Sequence, residues 1–93
     1  MNYEINWDKK ARDFLRKIPK EDAKRIIKKV NSITVEPKHY LETLVGIKGY
    51  KLRIGDYRAL IDFDESKGII SVVFIGHRKE IYQYIQRSNF MAK

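Results

Sequence analysis

Gly55-Asp56 stands between two runs that alternate apolar and polar residues, and no other feature of the chain restricts the fold as much. A Gly-Asp pair in that setting predicts a two-residue hairpin turn, which leaves the flanking strands one register. Ile54 then faces Tyr57, Arg53 faces Arg58, Leu52 faces Ala59 and Lys51 faces Leu60. Because strand side chains alternate, Tyr50, Leu52, Ile54, Tyr57, Ala59, Ile61 and Phe63 share one apolar face. Lys51, Arg53 and Arg58 project together from the other. Asp62 shares their face but lies further along the strand.

The rest of the chain supplies what that apolar face packs against. Residues 2–7 alternate and predict a first strand, and Asp8 is placed to cap a helix. Ala11, Phe14, Leu15 and Ile18 form one helical stripe, and Ala23, Ile26, Ile27, Val30 and Ile33 form a second. Pro19 ends the first helix and begins the next, so the two fold back as a hairpin on the sheet. Residues 34–48 look irregular, with Pro37 and Gly46 marking loop. The nearly all-apolar run from Ile69 to Ile75 predicts a central strand covered on both faces. Ile81, Tyr84 and Ile85 mark a final helix. The expectation is a single α+β domain over residues 1–93, ordered β-α-α-β-β-β-α, with a helical hairpin on an antiparallel sheet.

Composition narrows the chemistry. Cysteine is absent and only His39 and His77 are present, so thiolate and histidine metal sites lack ligands, and no cofactor is expected. No basic start with an apolar run and no membrane-length apolar stretch occurs, so the expectation is a cytoplasmic protein without membrane contact. Twenty Lys and Arg against twelve Asp and Glu give a net charge of +8, which attracts polyanions. Ten of those twenty bases lie between Lys9 and Lys29, mostly on outward helical faces.

Two arginines opposed across a strand pair repel each other. A solvated sheet face is the plain explanation, but an anion between the strands answers the charge better, since guanidinium forks match phosphate oxygens. If Phe63 lies near Ile69, Arg58 lies near Phe74, and Gly76-His77-Arg78 emerges beside the Gly55-Asp56 turn. Tyr82 and Tyr84 follow, offering rings on which a base can stack, and Lys79 adds a further contact for an RNA backbone. Such a site suits cleavage of RNA by its own 2′-hydroxyl, which needs a base, a proton donor and cations for the extra charge. Arg58 is the choice for holding that charge, with Arg53 assisting. Arginine is a poor base. Lys51, crowded by two arginines, would give up its proton more readily than an ordinary lysine, and histidine exchanges protons near neutrality, so Lys51 or His77 could shuttle them.

The order of these pieces resembles the RelE/ParE toxin superfamily over nearly the whole chain. The resemblance lies in the helical hairpin after a first strand, Leu44-Val45-Gly46, Tyr50-Lys51-Leu52-Arg53, Gly55-Asp56-Tyr57-Arg58 and Gly76-His77-Arg78-Lys79-Glu80-Ile81-Tyr82. It implies a ribosome-dependent endoribonuclease that cuts mRNA in the A site, contacts ribosomal RNA and is silenced by a RelB-like antitoxin. Lys51 and Arg53 match the basic pair of the first long strand and Arg58 the transition-state arginine. Arg78 matches the arginine assigned as acid or phosphate holder, and Tyr84 the stacking or orienting tyrosine, with Tyr82 an alternative. One departure is Arg53, where well-studied members carry a lysine proposed as general base. The rival function is a ParE-like toxin that binds DNA gyrase and cuts nothing; a non-catalytic RNA-binding relative is the other.

Overall fold

The computed structural model describes residues 3–44 and 49–88. Val45, Gly46 and the last five residues of the chain lie outside the described residues. In chain order the elements are β1 (Glu4–Trp7), α1 (Lys9–Lys17), α2 (Lys20–Ser32), α3 (Pro37–Tyr40), β2 (Glu42–Thr43), β3 (Tyr50–Ile54), β4 (Tyr57–Asp64), β5 (Ile69–His77) and α4 (Arg78–Ser88). The strands form one sheet in the order β1-β5-β4-β3-β2.

The hairpin register is the one the turn dictates. Arg53 pairs with Arg58, Leu52 with Ala59 and Ile54 with Tyr57. Gly55 sits at φ 59°, the left-handed region that makes glycine the residue for this corner. β5 departs from the expected register. Phe63 faces Ile70 rather than Ile69, and Arg58 faces Gly76 rather than Phe74. Ile61 pairs with Val72 but Leu60 with Phe74, so Val73 is an extra residue in β5, a bulge.

The sheet is mixed, not wholly antiparallel: β1 runs parallel to β5, pairing Ile5 with Ile70 and Trp7 with Val72. β5 therefore lies between β1 and β4, as its apolar run requires. The segment read as irregular holds a helical turn, α3, whose first residue is Pro37, and the two-residue edge strand β2. Asp8 occupies the N-cap of α1, but its carboxylate accepts from the Asn6 side-chain amide at 3.2 Å instead of from the helix backbone.

The helical hairpin covers one face of the sheet. Ala11, Ile26, Val30 and Ile33 are fully buried there with Leu52, Ala59, Ile61, Ile70, Val72 and Ile75. Ile27, counted in the second stripe, is instead 39% exposed. α4 packs against β4 and β5 on the opposite face, where Leu60 and Ile81 are buried apart from that core. Leu60 shares a face with Lys51, its cross-strand partner. The final helix thus stands over the basic side.

Tyr57 ties hairpin and sheet together. Its hydroxyl donates to the Asp22 carboxylate at 2.7 Å, and its ring meets Phe14 edge-on at 5.8 Å. The hydrogen bond to Asp22, then burial, pushes the phenol up from its ordinary value of 10.0. The fold holds the neutral phenol, so its contribution is complete below the ordinary phenol range and is lost as pH rises through the raised value. Tyr57→Phe should therefore melt lower than the parent at neutral pH, with the gap closing above pH 10. Melting temperatures of both proteins across the alkaline range check this; parallel curves would refute it.

Candidate functional site

The basic face takes shape from four elements. The β3–β4 register sets Lys51, Arg53 and Arg58 side by side. β2 adds Glu42, directly opposite Lys51. α4 follows β5 without a break and contributes Arg78 at its first position. Glu42, Lys51, Arg53, Arg58 and Arg78 together line an open recess of about 170 Å³.

Each cation is held differently. Arg58 donates through Nη1 to the carbonyls of Gly55, at 2.8 Å, and Tyr57, at 2.9 Å. Its position is set by backbone carbonyls rather than by a carboxylate. Arg53 and Arg78 are exposed. None of the ion pairs among the described residues involves Arg53, Arg58 or Arg78. Lys51 has company: Nζ donates to the Tyr82 hydroxyl at 3.3 Å, lies 5.7 Å from the centre of that ring, and is 3.7 Å from Glu42 Oε1. The crowding of Lys51 by arginines alone is therefore corrected, since a carboxylate and a hydroxyl share its surroundings. Sequence reasoning missed Glu42. Its signal is faint, because Leu41-Glu42-Thr43-Leu44 is too short to show a strand period.

His77 is not in the recess. β5 continues through it, so it stays in the ladder opposite Tyr57 and stacks on that ring at 4.9 Å, on the helical-hairpin face. Its backbone amide donates to Glu80 Oε1 at 2.8 Å, which caps α4. A Cβ on Gly76 would lie 2.8 Å from that oxygen and 3.2 Å from the Phe74 ring, so only glycine fits opposite Arg58 without displacing the cap. Tyr84 also turns elsewhere: its ring stacks on Phe74 at 4.1 Å, with Lys10 Nζ 5.1 Å away. Tyr82 is the tyrosine brought to the basic cluster. Lys79 is exposed on the first turn of α4 and does not line the recess.

A larger cavity of about 350 Å³ opens between α1 and α4, lined in part by Lys10, Asp13, Phe14, Phe74 and Glu80. Its carboxylates are already engaged, Asp13 with Lys9 and Arg16 and Glu80 with the His77 amide. Among the described residues no three His, Asp or Glu side chains gather to hold a metal ion. No described helix is long and apolar enough to cross a membrane.

What the basic recess can do is bind an anion. Three guanidinium groups converge on one opening with no carboxylate pairing them, and a phosphodiester presents the complementary oxygens. A family model described as the ParE toxin of type II toxin–antitoxin system, parDE, matches residues 5–82. The chain belongs to that toxin family. The fold of this toxin is that of RelE proteins. The RelBE2 toxin–antitoxin complex of Mycobacterium tuberculosis contains a chain superposing with a TM-score of 0.77 at 21% identity, covering 84% of this chain and 100% of that one. A doubly substituted RelE toxin of E. coli, in its free state, gives 0.74 at 23% identity, over 95% and 98%. The archaeal RelE–RelB complex of Pyrococcus horikoshii OT3 gives 0.68 at 22%, over 84% and 97%. Curated proteins give no match.

Proposed function

We propose that this toxin is a metal-independent endoribonuclease that cuts mRNA on the ribosome, using the ribose 2′-hydroxyl as nucleophile. The observation that carries the reading is the convergence of Arg53, Arg58 and Arg78 on one recess without a carboxylate partner among the described residues. In the reaction the 2′-oxygen bonds to phosphorus and the bond to the 5′-oxygen breaks, leaving a 2′,3′-cyclic phosphate and a 5′-hydroxyl. Arg58, fixed by two carbonyls, holds the charge that builds on the phosphoryl oxygens, and Arg53 assists. Arg78 holds the phosphate from α4.

Proton transfer falls to the remaining groups. Among the described residues Glu42 is the only carboxylate lining the recess, so it is the proton acceptor from the 2′-hydroxyl. Tyr82 supplies a neutral O–H beside the cluster and protonates the leaving oxygen, with Lys51 sharing the charge left on the phenol. Lys79 meets RNA beyond the recess. The exposed lysines and arginines of α1 and α2 grip ribosomal RNA backbone without reading sequence. A cognate antitoxin, acidic and partly disordered, covers the basic face, by likeness to relatives solved as RelB–RelE complexes.

A second reading is a gyrase-binding toxin without nuclease activity, favoured by the ParE description of the matching family model. One experiment separates them. Purified toxin is added to ribosomes programmed with a defined mRNA, to the same mRNA without ribosomes, and to a gyrase supercoiling assay. Cyclic-phosphate ends that form only with ribosomes support the nuclease. Intact mRNA with inhibited supercoiling supports the rival.

A further inference from the structure

The β3–β4 turn is gripped from both faces of the sheet. On the recess face, Arg58 Nη1 bonds the carbonyls of Gly55 and Tyr57. On the helical-hairpin face, α2 reaches the same two residues. The Arg25 guanidinium lies over Gly55: a Cβ built there would be 3.4 Å from Nη2, 3.5 Å from Cζ and 3.8 Å from Nη1, so the plane covers the corner. Asp22, one helical turn before Arg25, accepts the Tyr57 hydroxyl at 2.7 Å and stands 3.9 Å from Arg25 Nη2. Neither residue lines the recess.

We propose that Asp22 and Arg25 are positioning residues for Arg58. They fix Gly55 and Tyr57 from behind, and those residues' carbonyls then hold the guanidinium at the angle a phosphate meets. The proposal draws on the nuclease reading for its rate measurement, though not for its geometry. Two observations favour it over a merely stabilising role. The Asp22–Arg25 ion pair is long and exposed, with side-chain accessibilities of 32% and 55%, and pairs of that kind add little to stability. Yet the two contacts from α2 fall on the very residues whose carbonyls hold Arg58. Tyr57 is held in the ladders opposite Ile54 and His77, but Gly55, at positive φ, lies beyond both and has few anchors of its own. A guanidinium bonded to a loose corner would share its motion, and misplacement on the scale of an ångström is costly to a transition state.

The test uses the full chain in two variants, Arg25→Ala and Asp22→Ala, each alone and combined with Arg58→Ala. In single-turnover reactions on programmed ribosomes, each variant should lower the saturating rate by between about tenfold and a hundredfold, with the half-saturating ribosome concentration unchanged. In the Arg58→Ala background the same changes should have no further effect, which a general loss of stability would not produce. Independently of cleavage, nitrogen-15 spectra should show restricted Arg58 guanidinium signals in the parent that collapse to averaged ones in both variants. Additive rate effects, or Arg58 signals identical in parent and variants, would overturn the proposal. If the parent itself leaves mRNA intact, the nuclease reading fails while the Arg58 spectra still decide the clamp.

Discussion

Replacing Arg58 with alanine is expected to slow single-turnover cleavage of ribosome-bound mRNA by about 10²–10³-fold, the usual consequence of removing one prearranged charge-stabilising donor. The size follows from how the side chain is held. Two carbonyl acceptors fix its Nη1, so no reorganisation is needed when charge develops beside it. None of the ion pairs among the described residues involves it, so no carboxylate holds its guanidinium. Arg58→Lys should recover only a small part of the rate, since an ammonium cannot bond the turn carbonyls and a phosphate with the same planar fork. Melting temperature should change little in either variant, because the side chain's hydrogen bonds reach only the Gly55 and Tyr57 carbonyls at the turn. A cleavage rate within a factor of about three of the parent, far below the donor effect, would remove Arg58 from the reaction.

The largest expected loss of stability comes from Ile81→Ala. Ile81 and Leu60 are both fully buried, outside the core under the helical hairpin, and α4 is the element packed over that side of β4 and β5. Truncating a fully buried isoleucine costs about 2–5 kcal/mol, the upper values where the surroundings cannot collapse into the space. Here one side of the space is a rigid sheet. Urea unfolding of parent and variant gives the number directly. Because α4 also carries Arg78 and Tyr82, cleavage should fall at temperatures well below the melting point. A loss under about 1 kcal/mol would mean that α4 is held by other contacts.

Much of this was legible in the residues, for identifiable reasons. The Gly55-Asp56 turn is local, so the pairing of Arg53 with Arg58 follows from counting outward. The helical stripes and Pro19 likewise predict α1 and α2 from neighbouring residues alone. What escaped depends on distant partners. The parallel pairing of β1 with β5 joins residues 65 positions apart, as in Glu4 and Ile69, and alternation in β1 says nothing of direction. Glu42 reaches the recess through a strand of two residues. His77 is expected to emerge with Arg78 beside the Gly55-Asp56 turn, yet the strand holds it for one more residue and so turns it to the other face. Tyr82 and Tyr84 are equally aromatic and two positions apart; only the seating of α4 on the sheet distinguishes Lys51 from Phe74 as their neighbours.

The unpaired Val73 reverses the parity of everything after it. Were Val73 instead paired with Leu60, Ala59 would face Phe74 and Arg58 would face Ile75, putting a large ring in the core and a branched aliphatic beneath the guanidinium. With Val73 bulged out of the ladder, the aromatic moves to the α4 side and a bare Cα lies opposite Arg58. Register in the second half of β5 is therefore constrained as well as residue type. Conservative exchanges at Val73 leave the phase intact, and deleting it would close the bulge with the same pairs kept, whereas one residue inserted after Phe74 would turn Ile75 and Gly76 to the opposite faces. Insertions should consequently be tolerated at the Asp64–Gly68 connection and not in β5 beyond Phe74.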